Sequence, residues 1–352
     1  HIAHLHSDLA VQALRTFWRQ AIIFNRLPWT LHLLLLVVAI IFPFTSDSAF
    51  VINFGVLALF YAFIGQSWNI AGGFAGQLSF GHVAFFGVGA YASTIVQMRF
   101  GFNPWWGLPV SALAGAAAGW FISVLSFRAG LKGSYFALIT LAFAEVFRII
   151  SNSIEITGGG LGMLIPMKQT AANFQFGDRR AFYFIILALT VISIAIALWL
   201  KASRFGARLA AIRENEDSAR ALGINVFSEK IKIMAISGAI AGVGGCFFSQ
   251  YFLYIDPTIV FGVDKSVEML LVSMIGGAGT VYGPLIGAVL LALVSEVTRS
   301  MFSLQGLSLV LYGTLLVIII AFLPNGLVEL FKKKERKEAG RLTSAAPKKG
   351  EA

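Results

Sequence analysis

The sequence predicts an all-α membrane protein, a polytopic bundle of transmembrane helices. Of its 352 residues, 57% are hydrophobic and only 12% are charged, whereas about a quarter of the residues in an ordinary soluble domain are charged. The apolar residues fall in blocks close to the roughly 20 residues that cross a bilayer as a helix. Most of the 27 Lys and Arg residues lie between and beyond these blocks. The bilayer is therefore the solvent for most of the chain.

The first 28 residues differ from the apolar blocks that follow them. Arg15, Arg19 and Arg26 alternate there with apolar side chains such as Phe17 and Ile22. A helix with one basic and one apolar face lies in the plane of a membrane surface rather than across it. We therefore expect residues 1–28 to form an amphipathic segment on the cytoplasmic surface.

The apolar blocks predict a transmembrane domain over residues 29–323, with about ten spans. These are residues 29–44, 49–70, 76–98, 105–127, 131–152, 181–200, 233–253, 264–279, 283–298 and 306–323. The third, eighth and ninth are glycine-rich or short, so partly re-entrant segments are an alternative for them. With the N-terminus inside, the inner segments hold most of the basic residues, which places both termini and the basic tail 324–352 in the cytoplasm.

Two loops stand out between the spans. The outer segment 153–180 contains the run Thr157-Gly158-Gly159-Gly160-Leu161-Gly162, which breaks a helix and predicts an irregular loop. The inner segment 201–232 is the only sizeable polar stretch between predicted spans. Function that takes place in the cytoplasm is expected there.

A short helix is predicted over residues 210–223 of the inner loop. Glu214, Glu216 and Asp217 favour its start, because acidic side chains stabilise a helix N-terminus, and Gly223 is a plausible stop. An exposed Ala and Leu surface flanked by charges suits docking into a groove of another protein. A solvated loop helix without a partner is the alternative.

This loop resembles the inner-membrane permeases of binding-protein-dependent ATP-binding-cassette (ABC) importers, whose cytoplasmic loop carries a Glu-Ala-Ala pattern followed by Gly. The matching stretch is Asp217-Ser218-Ala219-Arg220-Ala221-Leu222-Gly223, with Asp for Glu and Ser for the first Ala. Residues 50–325 resemble the branched-chain amino acid (LivM-type) subgroup. The points of resemblance are Gly76-Gln77-Leu78-Ser79-Phe80-Gly81-His82, Gly133-Ser134-Tyr135-Phe136-Ala137-Leu138, Thr157-Gly158-Gly159, Tyr254-Ile255-Asp256-Pro257 and Gly276-Gly277-Ala278-Gly279-Thr280.

The resemblance implies that this chain lies in a bacterial inner membrane. It also implies that a coupling helix in its cytoplasmic loop docks on an ATPase subunit. The residues of this helix would be Glu216, Asp217, Ser218, Ala219, Arg220, Ala221, Leu222 and Gly223. It also implies a homologous (LivH-type) second permease, two ATPase subunits that hold ATP and Mg, and a periplasmic binding protein. The sequence has no Gly-rich phosphate-binding loop of the Gly-x-x-x-x-Gly-Lys-Ser/Thr type, so this chain cannot hold ATP phosphates by that loop. We expect no cofactor, metal or catalytic residue in it.

Glycine pairs and charged residues occur inside the predicted spans. Glycines four residues apart, such as Gly115 with Gly119 and Gly238 with Gly242, let helix backbones approach closely in lipid. The glycine clusters 72–89 and 276–287 predict interrupted helices of the kind that line solute paths. Charge in a membrane is costly and marks function or a buried partner. The candidate path residues are Gln77, Ser79, His82, Glu145, Arg148, Glu268 and Glu296.

Simpler roles stay open for these residues. Glu145 and Arg148 are three apart on one helix face and can neutralise each other, and His82 can be a packing histidine. A secondary transporter whose buried carboxylates carry coupling protons is the alternative from another class. Within the importer class, urea or short amides are the alternative substrates. An enzyme is disfavoured, because no nucleophile with a base and no metal cluster is visible.

Overall fold

The computed structural model describes residues 29–301 and positions 310, 311, 313, 314, 317, 318 and 327. This part of the chain is mostly helical. Its helices are α1 (Trp29–Ile41), α2 (Ala49–Trp68), α3 (Val83–Phe100), α4 (Gly107–Arg128), α5 (Gly133–Ser153), α6 (Arg179–Ala202), α7 (Arg204–Glu214), α8 (Glu216–Ala221), α9 (Val226–Phe252), α10 (Pro257–Val260), α11 (Val263–Gly276) and α12 (Gly283–Met301). The features discussed below belong to the compact unit that begins at Asn53.

Five helices in the described residues are long and apolar enough to cross a membrane. They are Ala49–Phe74, Pro104–Arg128, Gly133–Ser153, Arg179–Ala202 and Val226–Phe252. His32–Phe44 and Gly283–Val297 are apolar but shorter. The all-α membrane fold is confirmed, whereas the count of about ten spans is not. The predicted amphipathic segment 1–28, most of the span 306–323 and most of the basic tail lie outside the described residues.

Helices α3, α4 and α9 pack with their backbones in contact. A Cβ atom placed on Gly238 of α9 would overlap the carbonyl of Gly115 on α4, and one on Gly242 would overlap the carbonyl of Ser111. Gly89 on α3 approaches Gly242 in the same way. Only glycine permits such an approach, because any side chain would hold the helices apart. The close packing predicted from the glycine spacing is confirmed here.

The loops 153–180 and 201–232 lie at opposite ends of this bundle. At the start of α4, the Trp105 indole donates a hydrogen bond to the Ala171 carbonyl (2.9 Å), while just beyond the end of α4 Lys132 lies 3.6 Å from Glu216. A helix of this length separates its two ends by about 33 Å. The opposite placement agrees with the predicted topology.

The loop 153–180 is more ordered than its glycines suggest. It forms short 3₁₀ turns at Glu155–Thr157, Gly159–Leu161 and Ala171–Asn173. Its strand β1 (Met163–Leu164) pairs antiparallel with β2 (Tyr254–Ile255). The prediction of an irregular loop missed this pair, because a two-residue strand leaves no alternation in the sequence.

Two helices are interrupted at the predicted glycine clusters. Helix α2 continues as a π-helical turn, Asn69–Phe74, and the chain is then non-helical until α3 begins at Val83. The predicted span 76–98 therefore starts seven residues too early. A second interruption separates α11 from α12. Asn69 joins the two, because its Oδ1 accepts from Gly279 N (2.7 Å) and its Nδ2 donates to the Thr280 carbonyl (2.9 Å).

Candidate functional site

The inner loop folds into two short helices rather than the single helix predicted over 210–223. Between α7 and α8, Asn215 adopts an extended backbone (φ −160°, ψ 116°). Its side-chain oxygen accepts hydrogen bonds from the N–H groups of Asp217 (3.0 Å) and Ser218 (2.9 Å). An Asn in this position stabilises a new helix start by satisfying amides that lack a helical partner. Ser203 caps α7 in the same manner, accepting from Gly206 N at 3.0 Å.

Helix α8 ends at a glycine, as predicted. Gly223 has a φ of +82°, a conformation that costs other residues about 1–2 kcal/mol. Its N–H donates to the Arg220 carbonyl (2.9 Å), and the next N–H, of Ile224, donates to the Ala219 carbonyl (3.1 Å). This pair of bonds is a Schellman motif, which satisfies carbonyls at a helix end. The six-residue helix is thus closed at both termini.

Glu216 fixes the start of α8 to the end of the bundle. Its carboxylate lies 2.6 Å from the Lys230 ammonium of α9 and 3.6 Å from Lys132, which follows α4. Lys230 is buried, and its ammonium also lies over the Phe127 ring at 4.1 Å from the centroid. A buried ammonium needs such partners, since removing one charge of a buried pair strands the other. The sequence offered no spacing signal for this cluster, because its members come from three separate elements.

The outward face of α8 is mixed in character. Leu222 is 79% exposed although it is a large apolar residue. The other exposed residues predicted to couple are Asp217, Ser218, Arg220, Ala221 and Gly223. Ala219, by contrast, is 1% exposed and packs with Ile212 and Val226. A contact surface on α8 therefore excludes Ala219, and Glu216 serves mainly to anchor the helix.

The non-helical segment 75–82 turns two of the predicted path residues inward. Gln77 and Ser79 are buried, whereas Leu78 and Phe80 between them are 40% and 43% exposed. Exposure thus alternates along this segment, the pattern that arises when successive side chains point to opposite sides. The polar residues of this segment that the sequence suggests for a path are therefore buried, and the apolar ones lie at the surface.

His82 is fully buried where this segment enters α3. Its Nε2 lies 2.9 Å from the Ser237 hydroxyl of α9. That hydroxyl donates in turn to the Ser67 carbonyl of α2 at 2.5 Å. The contacts join three helices, as expected for a packing histidine.

Four of the charges inside the predicted spans form two pairs, each within a single helix. On α5, Arg148 donates two hydrogen bonds to Glu145, from Nε at 2.9 Å and from Nη2 at 2.5 Å, as their spacing predicts. Both side chains are partly exposed on the flank of the bundle. On α11, Lys265 lies 2.8 Å from Glu268, and both are largely buried. Glu296 is partly buried on α12, and among the described side chains no ion pair joins it to Glu145, Arg148, Lys265 or Glu268.

Curated relatives of the chain are transport permeases. It is 28% identical over 330 residues to the high-affinity branched-chain amino acid transport system permease protein LivM of Salmonella typhimurium, covering 87% of this chain and 76% of the relative. The probable LivM of Methanocaldococcus jannaschii is 27% identical over 76% of this chain and 90% of its own length. LivH of Salmonella typhimurium is 23% identical over 76% of this chain and 91% of its own.

No solved structure matches the chain. The family model described as "Branched-chain amino acid transport system / permease component" matches residues 50–320. The match contains both helix interruptions, the glycine-packed helices and the capped helix α8. Because it covers most of the sequence, the chain belongs to the family of permease components of branched-chain amino acid transport systems.

Proposed function

We propose that this chain is the membrane-spanning permease subunit of an ABC importer, which passes branched-chain amino acids delivered by a periplasmic binding protein. The family description and the names of the relatives support the substrate. Identity is higher to the LivM relatives than to LivH. This difference supports a LivM-type role beside a homologous LivH-type second permease.

The observation that carries the proposal is helix α8. It is capped at both ends, anchored through Glu216 to the bundle, and yet exposes Leu222. A rigid helix that exposes an apolar residue directly after its last turn and carries the exposed Asp217 and Arg220 fits a groove with an apolar floor and a charged rim. We assign that groove to the ATPase subunits, which hold ATP and Mg. A carrier that works without an ATPase has no need for such a helix.

The topology supports placement of α8 in the cytoplasm of a bacterial cell. Basic residues concentrate in 201–232 and in the C-terminal tail, the arrangement that orients membrane proteins with these parts inside. The loop 153–180, at the other end of the bundle, then faces the periplasm and the binding protein. Both termini are cytoplasmic in this arrangement.

The substrate path runs, in this proposal, along the face that exposes Leu78 and Phe80. Within the described residues, the N–H groups of Leu78 and Phe80 make no hydrogen bond. Unpaired backbone at membrane depth is tolerated where it is covered by protein or lines a polar cavity. The partly exposed Glu145–Arg148 pair likewise requires cover from lipid. The second permease supplies this cover. The exposed apolar side chains of Leu78 and Phe80, next to their unpaired backbone amides, suit an amino acid with an apolar side chain.

The secondary-transporter alternative depends on carboxylates that exchange protons. Glu145 and Glu268 are each engaged with a cation of their own helix, which favours a structural role for both. Uptake of leucine and uptake of urea, measured in the same vesicles, separate the proposal from the urea and amide alternative. The proposal expects uptake of leucine.

The docking test changes Leu222→Arg, with Leu161→Arg as the matched control. Leu161 is 88% exposed but lies in the loop at the opposite end of the bundle. A large cation in a docking contact should weaken ATPase binding at least about tenfold, measured as ATPase retained on the affinity-purified permease. Both variants should insert in the membrane, and Leu161→Arg should keep the ATPase. Full retention of the ATPase by Leu222→Arg would contradict the assignment.

A further inference from the structure

Arg213 extends from the last turn of α7 to the interruption that follows α2. Its Nη1 donates a hydrogen bond to the Gly73 carbonyl at 2.5 Å. Its aliphatic stem lies against Gly76, where an added Cβ would stand 3.0 Å from the Arg213 Cγ. Gly73 belongs to the π-helical turn and Gly76 to the non-helical segment after it. One side chain of the inner loop thus contacts both parts of this interruption.

The same guanidinium group meets the second interruption. A Cβ atom added to Gly279, between α11 and α12, would overlap the Arg213 Nη1 and would lie 2.9 Å from the Gly73 carbonyl oxygen. Asn69 holds Gly279 and Thr280 from the side of α2. The two interruptions and Arg213 therefore meet at one point. Glycine at 279 leaves space for the guanidinium and adopts the required φ of +79°.

Arg213 is mechanically tied to α8. Its neighbour Ile212 packs against Ala219 of α8 and Val226 of α9. Two residues further on, Asn215 caps α8. Because α7 and α8 share this small core, a displacement of α8 is expected to move the Arg213 backbone with it.

We propose that Arg213 is the positioning residue through which movement of α8 reaches the two helix interruptions. The inference rests on the proposed docking of α8 on an ATPase. Interrupted helices bend at their breaks more readily than continuous ones, and glycines absorb the change in backbone angles. Arg213 donates a hydrogen bond to the Gly73 carbonyl at one interruption and lies against the backbone of Gly279 at the other. It can therefore shift both together when α8 moves.

The test is Arg213→Met, which keeps the stem beside Gly76 and removes the guanidinium. Arg204→Met is the control, because Arg204 is an exposed arginine at the other end of α7. Each variant is reconstituted in vesicles with the LivH-type second permease, the ATPase subunits and the binding protein. We expect normal retention of the ATPase and continued ATP hydrolysis, while leucine transported per ATP hydrolysed falls about tenfold, the loss expected for one charged hydrogen bond. Arg204→Met should match the unaltered complex.

Two further variants separate this inference from the docking proposal. Arg213→Lys, which restores a cationic donor, should recover part of the transport per ATP and carries the test if the Met variant folds poorly. Asn69→Ala, which releases Gly279 and Thr280, should lower the same ratio. If Arg213→Met transports as much leucine per ATP as the unaltered complex, Arg213 does not have the proposed role. The same conclusion follows if Arg213→Lys and Asn69→Ala both leave this ratio unchanged. If Leu222→Arg keeps its ATPase, the docking proposal fails instead, whatever the Arg213 variants do.

Discussion

The glycines of the helix core and the glycine that ends α8 are present for different physical reasons. Gly238 and Gly115 lie where two backbones touch, so that an added Cβ would overlap a carbonyl group. Gly223 has no atom within 4 Å of an added Cβ, but its φ is +82°. The first position excludes a side chain because of space, and the second disfavours one because of backbone conformation.

This difference indicates how each region works. The core of α3, α4 and α9 has backbones in direct contact, so a change there is transmitted to three helices at once. Helix α8 is held by caps and by Glu216, and its outer face is free for a partner. A substitution in the core should therefore affect the whole fold, whereas one in α8 should act locally.

The largest effect is expected for Gly238→Val. The new side chain would push α9 away from α4, and overpacking of this kind costs about 3 kcal/mol where backbone atoms must move. The measurement is the thermal unfolding midpoint in detergent together with the yield of monodisperse protein. Gly177→Val is the control, because its φ is ordinary and the nearest atom to an added Cβ is 3.8 Å away. Equal losses in the two variants would show that the backbone contact of Gly238 does not make this position more sensitive than an exposed loop.

A smaller and local effect is expected for Gly223→Val. Strain at the positive φ costs about 1–2 kcal/mol, which should open the end of α8 without lowering the global midpoint. Hydrogen–deuterium exchange of the Ile224 amide, bonded to Ala219, should be about tenfold faster. Gly130→Val is the control, since Gly130 has a φ of +73° and open space but lies in the α4–α5 turn. A global loss of stability in Gly223→Val would show that α8 is part of the core.

The smallest effect is expected for Asn215→Ala, which removes the cap of α8. Loss of such a cap costs about 1 kcal/mol. Exchange of the Asp217 and Ser218 amides should accelerate severalfold while the Ile224 amide changes less. Asn215→Asp, which can accept the same two bonds, should behave like the unaltered chain. Uniform exchange across all three amides would mean that α8 opens as a single unit.

Much of this architecture is predictable from the sequence, because glycine spacing and charge depend only on residues that are near one another in the chain. The spacing of Gly115, Gly119, Gly238 and Gly242 predicted close helix packing, and the structure brings these four residues together. Gly223 predicted the end of α8. The family resemblance of five short motifs agrees with the family match over residues 50–320.

Other features depend on tertiary placement and left no local signal. Ala219 looks like a surface residue of a short helix, yet Ile212 and Val226 cover it. Gln77 and Ser79 are polar and therefore resemble path residues in the sequence, whereas their exposure depends on which side of the non-helical segment faces the bundle. The contacts of Arg213 join positions 73, 213 and 279, and nothing within a window of neighbouring residues indicates them.

The backbone contact of α4 with α9 also has a consequence for biosynthesis. Helix α4 ends at Arg128 and α9 ends at Phe252. The surface of α9 that packs on α4 is therefore complete only about 120 residues after α4, which takes roughly 10 s at the usual rates of translation. During that interval the glycine face of α4 is inserted without its permanent neighbour. A nascent chain arrested before Val226 should thus be cleared by membrane proteases faster than one arrested after Phe252.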